Sequence, residues 1–159
     1  ERFFNNPFSV FIMLCVNGLI LLSTKIIPIK SRHIEETGMY RSICIGVCQA
    51  LAIIPGISRS GATITGGMLA GLEPEESARF SFLMAVPVIA GAGFIEALPL
   101  FQKGLELKVL VPLLAAMLVT FLVALVSLKL LFALVRRIRI DVFGYYTIAL
   151  GLAGIIASL

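Results

Sequence analysis

Charge is scarce in this sequence. Asp, Glu, Lys and Arg make up 14% of the 159 residues, against 59% hydrophobic residues and a mean hydropathy of +1.05. A water-soluble domain carries about a quarter charged residues, so the composition excludes an ordinary soluble fold and names the bilayer as the chain's solvent. Histidine occurs once, as His33, in a polar stretch. No apolar segment therefore carries a histidine base for a membrane serine hydrolase, and no H-E-x-x-H motif exists. Three cysteines, Cys15, Cys44 and Cys48, form no C-x-x-C pair. Cys44 and Cys48 stand one helical turn apart, but the lone histidine is remote, so all three are expected to be small buried thiols rather than metal ligands. The net charge of +4 is small. The one basic run, Arg136-Arg137-Ile138-Arg139, abuts an apolar segment, which speaks for orientation in a membrane and against nucleic-acid binding.

Apolar runs fill the rest of the chain. The first extends from about Phe8 to Leu22, closed by Lys25, Pro28 and Lys30, and reads as a membrane helix rather than a signal peptide. A polar loop from Ile29 to Tyr40 holds Lys30, Arg32, His33, Glu35 and Glu36. Then Ile43–Ile54 stops at Pro55-Gly56, and Ala62–Leu72 resumes. Each half is too short to cross at about 1.5 Å per residue, which is the expected length of a re-entrant segment. Residues 42–72 are therefore expected to form a helix–loop–helix hairpin that dips into the membrane and returns, with PGISRSG at its tip; a single broken helix crossing the membrane is the alternative. Glu73-Pro74-Glu75-Glu76 has the composition of a helix start. The following segment, Phe80 to about Leu98, contains Pro87, Gly91 and Gly93, which a membrane helix tolerates when its neighbours pack closely, and a polar link runs from Gln102 to Lys108. Val109 to about Val135 is the longest apolar run, with Lys129 able to snorkel near its end. A basic loop, Arg136–Asp141, precedes a final span, Val142–Leu159, that contains Gly144, Gly151 and Gly154.

These runs predict an all-α polytopic membrane protein of about four transmembrane helices and one re-entrant hairpin, a single membrane domain over 1–159. One face would carry Lys25, Lys30, Arg32, Arg41, Arg79, Arg136, Arg137 and Arg139; the other, Arg2, Lys103 and Lys108. The excess marks the first face as cytoplasmic, and the hairpin enters from it.

At the hairpin tip, "IIPGISRSGATIT" (53–65) sets Arg59 among hydrophobic residues. An arginine at membrane depth costs about 2.5–3.5 kcal/mol on insertion scales. Its planar fork of donors matches phosphate or carboxylate. Ser58, Ser60 and Thr63 add hydroxyls, while Gly56 and Gly61 permit close backbone approach. Thr63 is expected in the first turn of the second half-helix, where free N–H groups favour an anion. The combination points to an oxyanion site, most simply for phosphate; pairing of Arg59 with an internal carboxylate or with helix carbonyls is the structural alternative. Gly56 to Gly61 has P-loop spacing, but Ala62 stands where lysine is required. Ser60 in place of glycine excludes a G-x-S-x-G elbow around Ser58. Gln49 lies about two turns before the tip and faces either the same cavity or a neighbouring helix. For Glu96, near a span's end, snorkelling to the interface is the simpler reading. Phe80, Phe82 and Phe94 read as packing or lipid-facing residues.

"QALAIIPGISRSGATITGGMLAG" followed by "FSFLMAVPVIAGAG" closely resembles the second signature of the bacterial undecaprenyl-diphosphate phosphatases, the bacitracin-resistance proteins. The order of spans from Phe8 onward is similar too. The resemblance implies two inverted-topology halves, each with a re-entrant hairpin, of which this chain matches the C-terminal portion. The first half's glutamate-rich signature, E-G-x-T-E-x-x-P-x-S-S-S-G-H, does not occur here; Gln49-Ala50-Leu51-Ala52-Ile53 before Pro55 has the look of its relic. It further implies a multi-pass enzyme of the bacterial inner membrane that hydrolyses undecaprenyl diphosphate to undecaprenyl phosphate, recycling the carrier for cell-wall synthesis and conferring bacitracin resistance. Arg59, Ser58 and Thr63 would engage the diphosphate, with Ser60, Gly56, Gly61 and Gln49 shaping the pocket. A divalent cation, Mg2+ or Ca2+, would support the activity. The implied partners are the polyprenyl diphosphate lipid, the membrane, the N-terminal half of the fold and a second copy in a homodimer. The competing function is a polyprenyl-phosphate transporter or flippase that binds the headgroup without cleaving it, since broken helices and inverted repeats serve transporters as well.

Overall fold

The computed structural model describes residues 7–28, 32–103, 107–137 and 140–158. Among these, six α-helices follow in order: α1 (Pro7–Ser23), α2 (Gly38–Leu51), α3 (Arg59–Leu69), α4 (Pro74–Lys103), α5 (Leu107–Arg137) and α6 (Asp141–Ala157). A short 3-10 turn, Ile34–Glu36, precedes α2. No strand occurs among the described residues; one isolated bridge joins Arg32 to Leu72. Arg2, Lys30 and Arg139 of the expected charge asymmetry lie outside the described residues, as do 104–106 of the expected Gln102–Lys108 link.

The chain divides into two compact units, Glu1–Phe82 with Val135–Leu159, and Leu83–Leu134. In the first, α1 packs along α6. The two run antiparallel, as their glycines show. A side chain at Gly144 would meet the Gly18 carbonyl at 2.8 Å, and one at Gly151 would meet the Phe11 carbonyl at 2.8 Å and the Cys15 nitrogen at 3.0 Å. Small residues thus let two apolar backbones approach closely. Beyond the end of α1, Lys25 reaches Asp141 at 3.4 Å and donates to the Tyr145 hydroxyl at 2.6 Å. The Tyr145 hydroxyl, then the Asp141 carboxylate, hold the Lys25 pKa above its ordinary 10.5 against a smaller opposing effect of desolvation.

Helices α2 and α3 form a hairpin in the same unit. Ser58 caps α3: its backbone is extended and its side chain accepts from the Gly61 N–H at 3.2 Å. Gly71, at φ +93, closes α3; the Leu72 N–H reaches the Gly67 carbonyl at 3.0 Å and the Gly71 N–H the Met68 carbonyl at 2.9 Å, the paired bonds of a Schellman stop. α4 begins at Pro74, with Glu75 and Glu76 in its first turn. Arg79 pairs with both, at 3.0 and 3.2 Å. α3 is buried from Gly61 to Met68. A side chain at Gly66 would meet Cys48 of α2, and one at Gly67 would meet Ser77 of α4.

In the second unit, the rest of α4 and most of α5 are apolar. Pro74–Pro99 and Leu110–Phe132, 26 and 23 residues, are long and apolar enough to cross a membrane; α1 and α6 are shorter apolar helices of 17 residues each. As expected of a membrane helix that tolerates Pro87, Gly91 and Gly93, α4 runs unbroken through Pro87, and through Pro99 as well. A proline removes one backbone donor, a loss that membrane helices absorb through local adjustment. Phe94 and Glu96 are exposed on this stretch, whereas Phe80 and Phe82 of the first unit are half-buried.

The non-helical link is displaced toward α2 from the expected PGISRSG: α2 ends at Leu51 and Ser58 is the cap of α3, so Arg59, Ser60 and Gly61 are the first turn of α3 and Thr63 lies in the second turn. The cysteines are not uniformly buried: Cys44 is exposed, and Cys15 and Cys48 are half-buried, because only one narrow face of α2, marked by Ile45, is fully covered.

Candidate anion site at the hairpin tip

The turn between α2 and α3 is fixed by α1. Gly56 sits at φ +98, a conformation that favours glycine, and a side chain there would meet the Val10 carbonyl at 2.6 Å and the Leu14 nitrogen at 3.2 Å. Two residues on, the Ser58 N–H donates to Asn17 Oδ1 at 2.9 Å. Asn17 is 1% exposed. A buried polar side chain in a membrane helix is costly unless satisfied, and here it satisfies a backbone N–H that no helix can use. The tip therefore lies beside the middle of α1, while the far end of α3 lies toward the C-terminal end of α1, where Ser23, Ile26, Met68 and Leu69 line one cavity.

On this frame the polar groups gather. Arg59 Nη2 donates to Gln49 Oε1 at 2.6 Å. Gln49 thus bridges α2 to α3 and orients the guanidinium, and as a neutral amide it adds no charge against it. Ser58 Oγ and Ser60 Oγ stand 3.4 Å apart; Ser60 is exposed and Ser58 and Arg59 half-buried. Gly61 is buried, with Leu21 of α1 close against it. Thr63, 1% exposed, turns inward. Its hydroxyl lies 2.9 Å from the Arg59 carbonyl and 3.2 Å from that of Ser60, and it bonds Ser81 of α4. The structure so brings Gly56, Ser58, Arg59, Ser60, Gly61 and Gln49 into one corner and places Thr63 beneath it as a brace. Asn17 and Ser81 were missed by sequence reasoning. Asn17 carried a signal, a lone amide inside an apolar run; Ser81 carried none.

A guanidinium, two hydroxyls and a helix N-terminus attract anions. The same donor set does not suit a hard divalent cation, which takes several carboxylate or carbonyl oxygens. Among the described residues no group of three or more His, Cys, Asp or Glu is placed to hold a metal. The donors at this corner suit an anion, and the implied Mg2+ or Ca2+ would need oxygen ligands beyond them.

The family model described as bacitracin resistance protein BacA matches residues 1–153. The chain belongs to the BacA family. Among similar proteins, the undecaprenyl-diphosphatase of Rubrobacter xylanophilus is 37% identical over 159 residues, 100% of this chain and 58% of the relative. That of Moorella thermoacetica is 39% identical over 150 residues, 94% of this chain and 56% of the relative. That of Halothermothrix orenii is 35% identical over 162 residues, 99% of this chain and 62% of the relative. The chain spans a little over half the length of these curated relatives. BacA membership and the two long apolar helices make this a membrane protein.

Proposed function

We propose that this BacA chain supplies the arginine and hydroxyl side of an undecaprenyl-diphosphate phosphatase site. The observation that carries the reading is Arg59, held by Gln49 at 2.6 Å beside Ser58 and Ser60 at the tip of the hairpin. In the proposed reaction the terminal P–O–P bond breaks, the oxygen of water ends on inorganic phosphate, and polyprenyl phosphate remains. Phosphoryl transfer relies on positioning and charge stabilisation more than on covalent work by the protein. Arg59 binds the diphosphate oxygens in its fork; Ser58 and Ser60 donate to them; the first-turn N–H groups of α3 add partial positive charge. Gly56 and Gly61 keep the backbone low, and Thr63 holds the Arg59 and Ser60 carbonyls in place.

We place the protein in the bacterial inner membrane, multi-pass, with α1, α4, α5 and α6 as spans and α2–α3 as the re-entrant hairpin. Support for the hairpin is that its tip lies beside the middle of α1 rather than beyond its end. The polyprenyl tail stays in lipid while the headgroup reaches the tip. The carboxylate and histidine side of the site comes from the family's other half, and a homodimer remains part of the proposal.

Phosphate release from undecaprenyl diphosphate in detergent tests this. The chain alone, the chain joined to a family N-terminal half, and the joined protein with Arg59→Ala are compared. Hydrolysis by the joined protein only, falling about 10²–10³-fold on Arg59→Ala as for loss of a preorganised charge-stabilising donor, is expected. A joined protein that translocates intact lipid and releases no phosphate makes the carrier reading correct instead.

A further inference from the structure

At the opposite end of the hairpin from Arg59, a cavity of about 760 Å³ opens between the start of α2 and the end of α3. Its polar wall holds Arg32, Thr37 and Arg41; its apolar wall holds Cys44, Gly66 and Leu69. Thr37 is the residue that should cap α2. It has a helical backbone, φ −70 and ψ −32, and makes no side-chain capping bond, because a cap needs extended backbone to turn its oxygen onto the first-turn N–H groups. Thr37 is 2% exposed, and its hydroxyl has no hydrogen-bond partner among the described residues. A buried hydroxyl left unmatched costs stability, and here it sits beside a helix N-terminus left uncapped, in a cavity with two arginines. Arg32 also lies 3.8 Å from the exposed Glu36 carboxylate, so part of the positive field is offset at the rim. Met39 and Tyr40, 82% and 80% exposed, flank the opening.

We propose that this cavity binds the phosphate headgroup of an anionic phospholipid, with an acyl chain lying along the apolar wall between α2 and α3. The inference rests on the membrane placement of the hairpin given above and is independent of hydrolysis. Arg41 and the first-turn N–H groups of α2 take the phosphate; the Thr37 hydroxyl donates to it; Arg32 approaches from the rim. Basic pockets between membrane helices on the positively charged face are where anionic headgroups dock, and the apolar wall distinguishes a lipid from free phosphate.

Lipid retention by native mass spectrometry of the detergent-purified protein tests the site, with phosphatidylglycerol, phosphatidylcholine and inorganic phosphate as separate probes. Phosphatidylglycerol is expected to be retained in preference to phosphatidylcholine, and inorganic phosphate not to displace it. Arg41→Gln is expected to weaken retention about tenfold, the scale of one charge-assisted hydrogen-bonded contact. Arg41→Lys keeps most of the retention, Glu36→Gln leaves it equal or tighter, and Arg79→Gln, on another part of the unit, leaves it unchanged. Equal retention of the two lipids overturns the proposal. So does equal loss from Arg41→Gln and Arg79→Gln, which means diffuse attraction to a charged surface. Displacement by inorganic phosphate assigns the cavity to the free ion instead. Phosphate release from undecaprenyl diphosphate, run on the same samples, reports on the reading at Arg59 separately.

Discussion

α3 and α5 are both helices of a membrane protein, and they use their side chains in opposite ways. α3, 11 residues long, is buried from Gly61 to Met68 and is rich in Gly and Thr. α5, 31 residues long, is almost wholly apolar, and large side chains such as Leu118, Phe121 and Leu122 are about 60%, 59% and 53% exposed. In water this would be a misfolded protein, because burial of apolar area drives folding there. In lipid the apolar surface needs no cover, and backbone and polar groups must instead be satisfied from within. The polar hairpin is therefore the part that demands a specific neighbourhood. α1 provides it through Asn17, and α4 through Ser81. Arg59 stands at the start of the closely packed helix, and the long apolar helix is free to be plain.

The contrast can be broken most severely on the apolar side. Leu122→Arg puts a charge at the centre of α5, and membrane insertion of that segment is expected to worsen by about 2.5–3.5 kcal/mol, read by the fraction of molecules glycosylated in an insertion assay. An unchanged fraction would mean that α5 does not face lipid. On the packed side, Gly151→Leu drives a side chain into the Phe11 carbonyl and the Cys15 backbone of α1. Overpacking of this kind costs about 1–3 kcal/mol or more, whereas Leu122→Ala is expected near neutral in stability; thermal denaturation in detergent compares the two.

Asn17→Leu keeps the branched shape of the side chain, though not its volume, and removes the acceptor of the Ser58 N–H. Loss of about 1–3 kcal/mol is expected from the orphaned donor, with faster hydrogen exchange at the Ser58 amide and little change in the later turns of α3. Asn17→Asp, which retains an acceptor oxygen, is expected to restore the exchange protection. The smallest effect lies just beyond the C-terminal end of α1, at Lys25. The Lys25 pKa is raised, chiefly by the Tyr145 hydroxyl. A raised folded value means that the contribution is fully present below 10.5 and is lost as pH climbs through the folded pKa. The melting-temperature difference between the protein and Tyr145→Phe should therefore hold at neutral pH and narrow only above 10.5; a difference independent of pH throughout would assign it to ring packing.

Much of this is legible in the sequence itself. The interruption between α2 and α3 around Pro55-Gly56 and the helix start at Pro74 follow from local chemistry, which a sequence displays directly. The motif around Arg59 likewise stood out because charge is rare in apolar surroundings. What stayed hidden depends on distance along the chain. The pairing of α1 with α6 joins residues more than a hundred positions apart, as in the Lys25–Tyr145 bond, and glycines at 144, 151 and 154 do not name their partner. The Ser58 cap moved the start of α3 to Arg59, because an N-cap and a loop serine look alike until their backbone is seen. Gln49 had two open readings, and the 2.6 Å bond to Arg59 joins them: it is an interhelical bond and it faces the site. Pro87 lies inside a continuous α4, as its apolar setting suggests, because a membrane helix tolerates a proline.

Arg59 is the group proposed to meet the phosphates. Equilibrium binding of farnesyl diphosphate, with farnesol as the uncharged control, measures this in detergent without requiring turnover. The diphosphate is expected to bind more tightly than the alcohol, and Arg59→Gln to remove the difference, weakening the diphosphate about tenfold or more while leaving farnesol unchanged. Equal binding of both ligands, or a preference for diphosphate that survives Arg59→Gln, would contradict that role.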